Sequence, residues 1–243
     1  MQCQKLLGLM DGQKVLVIDT DRSLVRSLEH SFASAGAEVH TALGGRQGLR
    51  RFRTCQPDLV IVEARMPDLD GWQACSRIRG SSGVPVIMIS SNGTEDDIIR
   101  GLQCGAVDYI SKPFSVQVLL ARARAALRRT SSVPVAGTNG YYDDGYLSID
   151  LGQRRVTRSR ALVDLTATEY RLLAELFRNA GRVLTYDQIL EAVWGDVYRD
   201  SPQYVHVYVY RLRQKLEDDP SQPRYLMTEH GMGYRFEKQA FGH

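Results

Sequence analysis

Four polar residues in the first half of the chain follow apolar runs, and their side chains could together handle a phosphoryl group or a metal ion. Asp19 and Glu63 each come directly after a short apolar run, Ser90 closes a third run, and Lys112 follows a fourth. Carboxylates bind hard cations or accept phosphate, and ammonium and hydroxyl groups bind phosphate oxygens. The plainer interpretation is that each residue is a solvated group just past a core strand. The fold that positions them decides between the two.

The elements that carry these residues alternate between predicted strands and predicted helices. Short apolar runs predict five strands, and between them apolar residues recur at helical spacing, as at Leu24, Leu28 and Phe32. This alternation predicts an α/β fold, a doubly wound five-stranded parallel sheet of the flavodoxin-like type with helices on both faces. Right-handed crossovers bring the C-terminal ends of parallel strands to one edge, so we expect the four polar side chains to meet there.

The second half predicts a smaller α+β domain. Alternating runs between Leu147 and Asp164 predict an antiparallel sheet, and Thr166 and Thr185 are placed to cap two helices. A third helix is predicted from about Pro202 to Leu216, with an apolar stripe formed by Val205, Val209, Leu212 and Leu216. Runs at 225–228 and 233–236 predict a final β-hairpin. Helices in this order, with polar residues opposite the stripe, are typical of a helix-turn-helix.

Composition supports two ordinary domains. The 243 residues include 43% hydrophobic and 24% charged residues, which is typical of a soluble globular protein. No apolar run approaches the roughly 18 residues of a membrane span, and no signal peptide is apparent, so we expect a cytoplasmic protein without a membrane partner. The net charge of +3 is too small to indicate nucleic-acid binding by itself. The cysteines lack metal-site spacing and are expected to be reduced structural thiols: Cys3, Cys55, Cys75 and Cys104.

The stretch between the two halves is rich in Ser, Thr, Gly and Pro and lacks apolar periodicity, which predicts a flexible linker. We therefore predict an N-terminal extension at 1–12, an α/β domain at 13–129, a linker at 130–144 and a helix-turn-helix domain at 145–238.

The first half resembles the response-regulator receiver domain. The resemblance rests on Val17-Ile18-Asp19, Met66-Pro67, Asp70-Gly71, Ser90 and Lys112-Pro113-Phe114. In that family an aspartate after the third strand accepts phosphate from a histidine kinase, and two acids after the first strand help to hold Mg²⁺. A lysine and a Ser or Thr contact the phosphoryl group, and an aromatic residue on the fifth strand turns inward. Asp19, Ser90, Tyr109 and Lys112 stand at matching positions, but the acceptor position is Glu63 and the second acid is replaced by Thr20.

Both departures weaken the chemistry that the resemblance implies. Mg²⁺ needs near-octahedral oxygen ligands, so with Thr20 we expect no cofactor and no metal site, or at most a weak one at Asp19 and Glu63. Glu63 carries its carboxylate one C–C bond further than Asp would, about 1.5 Å, which disturbs in-line phosphoryl transfer. The extra reach would let Glu63 bind Lys112 where a phosphoryl oxygen would stand. We therefore predict a receiver that works without phosphorylation; the alternative is a degenerate pocket that only packs and dimerises.

In the subgroup with winged-helix outputs, the fourth helix, fifth strand and fifth helix form a symmetric dimer face. The resemblance implies such a face here, with candidate residues Arg100, Asp108, Val118 and Arg122. Val107 and Val118 stand where that subgroup usually carries acids. We therefore expect a homodimer whose interface is more apolar and depends less on exposed ion pairs, which are individually weak.

The second half resembles the winged-helix output domain of the OmpR/PhoB family, on the motifs Leu165-Thr166, Glu169-Tyr170, Leu172-Leu173, Arg211-Leu212-Arg213 and Gly233-Tyr234-Arg235-Phe236. The resemblance implies that the third helix enters the major groove of double-stranded DNA and the hairpin contacts the minor groove. Arg211 matches the base-contacting position, where a guanidinium suits guanine, and Arg199, Arg213 and Lys215 are assigned to phosphates. Alternatively, Arg213 and Lys215 pair with Glu217 and Asp218. The other candidate contacts are Gln203, His206, Tyr210, Gln214, His230 and Arg235.

The two resemblances imply a sequence-specific transcriptional regulator, not an enzyme, that binds direct repeats in promoters as a homodimer and contacts RNA polymerase. We expect it to associate with the nucleoid through DNA and not to require a histidine kinase. One alternative is a conventional two-component regulator phosphorylated by a histidine kinase, and another is a regulator that responds to redox state or a ligand through its receiver. A phosphatase of the aspartyl-phosphate type would need an acid two residues after the nucleophile, where this chain has Arg65.

Overall fold

The computed structural model of the chain describes residues 10–130 and 140–239. The chain divides into two compact units, at residues 1–132 and 133–243. Most of the predicted N-terminal extension and of the predicted linker, together with Cys3, lies outside the described residues. Within the described ranges, no helix is long and apolar enough to cross a membrane.

The first unit is a parallel five-stranded sheet with helices on both faces, which confirms the predicted fold class. The strands run in the order β2-β1-β3-β4-β5. They are β1 (Lys14–Ile18), β2 (Glu38–Ala42), β3 (Leu59–Glu63), β4 (Val86–Ser90) and β5 (Asp108–Ser111). The helices are α1 (Arg22–Ser34), α2 (Gly45–Cys55), α3 (Gly71–Ser81), α4 (Glu95–Gln103) and α5 (Val116–Thr130).

The central strands are apolar throughout because they are buried on both faces. Successive side chains alternate between faces, so Val17 and Ile61 join the core that includes residues of α1 and α5, whereas Leu16 and Val62 join the core that includes residues of α3. Each of these four side chains is fully buried, which contributes about 1.5–3 kcal/mol per side chain. This packing places the C-terminal ends of β1, β3, β4 and β5 at the same edge of the sheet.

The described part of the second unit, residues 140–239, contains an antiparallel four-stranded sheet, three α-helices, a short 3-10 helix at Asp196–Tyr198 and a three-stranded sheet, and its helices and terminal hairpin confirm the predicted winged-helix class. The first sheet is β6 (Tyr141–Asp143), β7 (Leu147–Asp150), β8 (Arg155–Arg158) and β9 (Ala161–Leu162). The helices are α6 (Ala167–Arg178), α7 (Tyr186–Val193) and α8 (Gln203–Leu216). The second sheet, in the order β10-β12-β11, contains β10 (Leu184–Thr185), β11 (Leu226–Glu229) and β12 (Gly233–Phe236).

The strand β6 lies inside the range that we predicted to be linker. Its backbone pairs with β7, and the Tyr142 hydroxyl donates to the Asp144 carboxylate at 2.8 Å. Asp144 also accepts the hydroxyl of Tyr225 at 2.7 Å, which ties the first sheet to the residue that precedes β11. A three-residue strand beside Gly and Asp residues has too short a pattern to be distinguished from a loop by periodicity.

The starts of α6 and α7 agree with the predicted capping. Thr166 and Thr185 each accept a backbone N–H three residues on, and Glu169 and Gln188 bond back to the cap residue, so both helices begin with a capping box. The stripe predicted on α8 is also confirmed, since its four members are all 0% or 1% exposed: Val205, Val209, Leu212 and Leu216.

Candidate switch pocket and nucleic-acid interface

Lys112 stands between two buried carboxylates at the edge of the parallel sheet. Its Nζ donates to Asp19 Oδ2 at 2.8 Å and to Glu63 Oε2. Asp19 is 1% exposed and Glu63 is 5% exposed, because the ends of β1 and β3 lie within the packed unit. The direct contact that the longer Glu63 side chain was expected to make with Lys112 is therefore present.

The two carboxylates hold Lys112 in its charged form. Burial alone would lower the Lys112 pKa, but the hydrogen bonds and charges of Asp19 and Glu63 outweigh burial and raise the pKa above its ordinary value. The second Glu63 oxygen accepts the backbone N–H of Arg65 at 3.2 Å. Each carboxylate oxygen of Glu63 thus accepts one hydrogen bond, from Lys112 or from the Arg65 backbone.

The donor set in the pocket does not fit Mg²⁺. Asp19 and Glu63 are both bound to Lys112, and Thr20 is exposed. The neighbouring Asp21 carboxylate caps α1, where it accepts the backbone N–H groups of Ser23 and Leu24. Among residues 10–130 and 140–239, no group of three or more His, Cys, Asp or Glu side chains is arranged for a metal ion. An octahedral cation would have to compete with an ammonium for two of its few possible ligands.

Ser90 and Tyr109 complete the pocket at β4 and β5. Ser90 is 1% exposed, and its Oγ accepts the backbone N–H of Asn92 at 3.2 Å. Tyr109 is 3% exposed, and its hydroxyl donates to the Asn92 carbonyl at 2.6 Å. The ring stacks on Trp72 with centroids 6.0 Å apart. Tyr109 therefore has the inward orientation that the receiver resemblance implies, and burial raises its pKa, so the hydroxyl stays a neutral donor.

Gly101 is a pocket residue that sequence reasoning missed. A Cβ at this position would lie 2.7 Å from Tyr109 Cδ2, which is closer than Cβ atoms approach other atoms, and 3.1 Å from Trp72 Cζ3, which is a tight contact. Glycine at this position of α4 therefore makes room for the Tyr109–Trp72 stack. A lone glycine inside a helical pattern was the only signal in the sequence, and that signal does not specify which side chain approaches.

One expected member of the dimer face is not on the surface. Asp108 is fully buried, and its Oδ1 accepts Nη1 of Arg122 on α5 of the same chain at 2.8 Å. A buried carboxylate needs a partner, and Arg122 supplies it within the fold. Val118 is 38% exposed and Arg100 is exposed with its guanidinium 4.9 Å from the Trp72 ring centre, so these two remain available to a partner.

Two basic residues of α8 that the resemblance assigns to phosphates are bonded within their own unit in this structure. Arg213 donates to the Leu226 carbonyl, with Nε at 3.0 Å, and to Thr228 Oγ1 at 2.7 Å, so its guanidinium joins α8 to β11. Lys215 Nζ lies 2.7 Å from both Glu169 Oε2 and the Asp164 carbonyl. These partners differ from Glu217 and Asp218, with which the alternative interpretation paired the two cations. Each cation is used within the fold because the helix packs it against acceptors.

Three other predicted DNA contacts also have partners within the second unit. Arg211 is partly buried, with its guanidinium 4.8 Å from the Tyr208 ring centre. Arg235 pairs with Glu229 at 2.9 Å and with Glu237. Arg199 is exposed but lies 3.1 Å from Asp196 and 3.7 Å from Glu191. Of these, only Arg199 is open enough to exchange its partners for a phosphate at little cost.

The remaining candidates form the exposed surface of α8 and the hairpin tip. Tyr210 is 52% exposed and Gln214 is exposed, whereas Gln203 is partly exposed. His206 is exposed, and its Nδ1 lies 2.8 Å from the Tyr234 hydroxyl, which connects α8 to β12. His230 is exposed in the turn between β11 and β12. This surface combines a helix of four turns with a hairpin beside it, which suits the major groove and an adjacent contact.

Both halves match known family models. Residues 15–124 match the response regulator receiver domain, and residues 159–236 match the C-terminal domain of transcriptional regulatory proteins. A solved structure of a RitR mutant superposes with a TM-score of 0.67 at 26% identity, covering 94% of this chain and 100% of that chain.

Full-length relatives extend this match across both domains. The transcriptional regulatory protein KdpE of Mycobacterium tuberculosis is 39% identical over 228 residues, which covers 92% of this chain and 98% of that protein. The KDP operon transcriptional regulatory protein KdpE of Escherichia coli is 40% identical over 222 residues, covering 91% and 98%. The probable transcriptional regulator ycf27 of Galdieria sulphuraria is 39% identical over 237 residues, covering 95% and 92%. The chain therefore belongs to the OmpR/PhoB family of DNA-binding transcriptional regulators, with an N-terminal receiver and a C-terminal winged-helix domain.

Proposed function

We propose that this protein is a sequence-specific transcriptional regulator whose receiver works without phosphorylation, with the Glu63 carboxylate in place of a phosphoryl group. The observation that carries the proposal is the contact of Lys112 with Glu63 and Asp19. By the receiver resemblance, the lysine at this position contacts the phosphoryl group, and here its Nζ donates to two carboxylates of its own chain. The inward Tyr109 is buried in the same pocket.

The geometry of Glu63 argues against its use as a phosphate acceptor. Its two oxygens are bound by Lys112 and by the Arg65 backbone, and the side chain is 5% exposed. An attacking carboxylate needs a free oxygen in line with the leaving group and a cation to neutralise the phosphoryl charge. The Glu63 oxygens are buried and already hydrogen-bonded, and the pocket's donor set does not suit Mg²⁺, so we expect transfer to Glu63 to be disfavoured.

We further propose that the protein acts in the cytoplasm as a homodimer on direct repeats in promoters, where it contacts RNA polymerase. The dimer face would use α4, β5 and α5, with Val118 and Arg100 exposed on it. The KdpE relatives, one of which is named for the KDP operon, suggest related target genes. With the Arg122–Asp108 pair used internally, association should depend on apolar contact and change little with salt.

Phosphorylation is tested directly on the full-length protein. After incubation with acetyl phosphate and Mg²⁺, intact-mass spectrometry should show no stoichiometric phosphoprotein, and DNA affinity should not change. A stable phosphoprotein at one group per chain would contradict phosphorylation independence and favour the conventional alternative. Sedimentation at moderate and high salt checks the dimer, which should persist in both; monomers at tens of micromolar would count against it.

The role of Glu63 is tested with Glu63→Gln, which keeps the side chain's length but removes the charge that binds Lys112. We expect weaker dimerisation and weaker binding to a promoter fragment selected with the wild-type protein. Glu29→Gln, on the exposed surface of α1, is the matched control and should leave both unchanged. If Glu63→Gln dimerises and binds DNA as tightly as the wild type, the pocket does not control output.

A further inference from the structure

The surface of α8 opposite its buried stripe carries no charged side chain. At about 100° per residue, Gln203, Tyr210 and Gln214 fall within a sector roughly 40° wide, on the side away from Val205 and Leu212. Tyr210 is 52% exposed and Gln214 is exposed, in contrast to the fully buried stripe. This sector thus ends in two amides and one phenol ring. His206 is exposed beside it, about 40° from Tyr210, and its Nδ1 lies 2.8 Å from the Tyr234 hydroxyl.

The basic residues of α8 flank this sector and are held by other groups. Arg213 is bonded to the Leu226 carbonyl and Thr228, and Lys215 is bonded to Glu169 and the Asp164 carbonyl. Arg211 lies over the Tyr208 ring. Guanine is usually recognised by an Arg or Lys that reaches its O6 and N7 atoms. To make such a contact, each of these side chains would first have to leave its present partner.

We propose that Gln203, Tyr210 and Gln214 determine base specificity and that they recognise A·T pairs in the operator. A glutamine amide donates to adenine N7 and accepts from adenine N6–H in one planar contact. The exposed Tyr210 ring offers apolar surface for the thymine methyl group. This inference rests on the proposed function because it requires the protein to bind DNA, but it assigns the base preference to neutral residues instead of Arg211.

The spacing of the three residues limits the size of the recognised element. From Gln203 to Gln214 the helix rises about 16 Å, and base pairs along the duplex are about 3.4 Å apart. The three side chains can therefore reach bases within about five consecutive base pairs of one half-site, with the Tyr210 contact between the two Gln contacts. Each half-site should contain two adenines with a thymine between them.

The first experiment selects binding sites from a random duplex library with the full-length protein. We expect A·T pairs at the strongly preferred positions of each half-site. Base analogues in the selected duplex then test single atoms: 7-deazaadenine removes the N7 acceptor, and deoxyuridine removes the thymine methyl group. We expect a loss of about threefold or more for 7-deazaadenine at a Gln-contacted position and about fourfold for deoxyuridine under Tyr210.

Three variants assign each contact to its side chain. Gln203→Ala and Gln214→Ala should each weaken binding about 5- to 150-fold and abolish the effect of 7-deazaadenine at one position only. Tyr210→Ala should abolish the effect of deoxyuridine. Gln153→Ala, at an exposed glutamine in the β7–β8 turn, is the matched control and should bind like the wild type. All four positions are exposed or partly exposed, so the variants should fold, and far-ultraviolet circular dichroism checks this.

The outcomes separate this inference from the function on which it rests. A selected site rich in G·C pairs, whose guanine preference is relaxed by Arg211→Ala, would overturn the inference and leave the regulator function intact. Specific binding that the three variants leave within about twofold of wild type would do the same. If no duplex is bound above the level of unrelated DNA, the proposed function itself fails and the inference fails with it.

Discussion

Removal of the Lys112 charge should destabilise the receiver strongly, because two carboxylates would remain buried without a cation. Lys112→Met keeps a long apolar side chain but deletes the ammonium that binds Asp19 and Glu63. Loss of one partner of a buried ion pair costs about 3–5 kcal/mol. The Lys112 side chain is itself 22% exposed, and water can enter the vacated space, so we expect a loss near the lower end, about 3 kcal/mol at pH 8.

The loss should also depend on pH in a direction that a simple packing defect would not produce. Burial alone would lower the Lys112 pKa, but its bonds to Asp19 and Glu63 raise the folded pKa above the ordinary value. The stabilisation by Lys112 is therefore fully present below its unfolded pKa of about 10.4 and is lost as the pH rises through the folded pKa. The difference in stability between wild type and variant should be full at pH 8 and should shrink above about pH 10.5.

The sequence supplies a convenient assay. The chain has two tryptophans, Trp72 in the receiver and Trp194 in the winged-helix domain. In a Trp194→Phe background, the fluorescence of Trp72 during urea titration reports receiver unfolding, since this ring stacks on Tyr109 beside the pocket. Arg77→Met, at an exposed position on α3, removes a surface charge of the same sign and should change the stability by no more than about 0.5 kcal/mol.

Two results would refute the reasoning about Lys112. A loss below about 1 kcal/mol at pH 8 would mean that the carboxylates are screened by solvent and that the pocket is more open than their burial indicates. A loss of full size that stays equal from pH 8 to about pH 11 would mean that the variant disturbs packing, not charge balance. In either case the Glu63–Lys112 contact would no longer support a phosphate-free switch.

Three further substitutions test other contacts. Arg213→Ala should lower the free energy of unfolding of the winged-helix domain by about 2–3 kcal/mol, because it removes the hydrogen bonds between α8 and β11. If unfolding is unchanged and DNA binding becomes weaker and less dependent on salt, Arg213 contacts a DNA phosphate instead. Arg122→Ala should cost about 3–5 kcal/mol in the receiver because fully buried Asp108 loses its cation, and an unchanged urea midpoint would contradict this. Burial alone would raise the pKa of Asp144, but the hydrogen bonds that the carboxylate accepts outweigh burial and hold its folded pKa below the ordinary value. The contribution of Asp144 to stability is therefore present above about pH 4 and is lost as the pH falls through the folded pKa. Asp144→Asn should therefore cost about 2 kcal/mol at pH 7 and little at pH 2, as measured by urea titration at both values.

The sheet and the meeting of Asp19, Glu63 and Lys112 could be predicted because both follow from chain topology. Apolar runs of four or five residues specify buried strands, and right-handed crossovers then bring their ends together. The contact between Glu63 and Lys112 needed one further fact, the extra methylene of glutamate. These features depend on local pattern and on handedness, and neither requires knowledge of how distant side chains align.

The partners of the α8 cations could not be predicted for the opposite reason. Arg213 bonds to a carbonyl 13 residues away, and Lys215 bonds to Glu169, 46 residues away. Each contact depends on the rotation of α8 about its axis and on the register of the neighbouring element. In the sequence, a basic residue on a predicted recognition helix looks the same whether it faces solvent or a buried acceptor. The burial of Asp108 under Arg122 escaped prediction in the same way.

The two domains share a principle in how they use positive charge. In the receiver, Lys112 is neutralised by carboxylates of its own chain, and in the winged-helix domain Arg213 and Lys215 are bound by acceptors of their own domain. In both places a cation that the family resemblance assigns to phosphate, whether a phosphoryl group or the DNA backbone, is bonded within its own unit. Under the proposed function, these internal bonds should reduce the affinity gained from general phosphate contacts. We then expect DNA selectivity to depend on the neutral surface of α8, and activity to depend on dimerisation and protein concentration more than on a transferred phosphate.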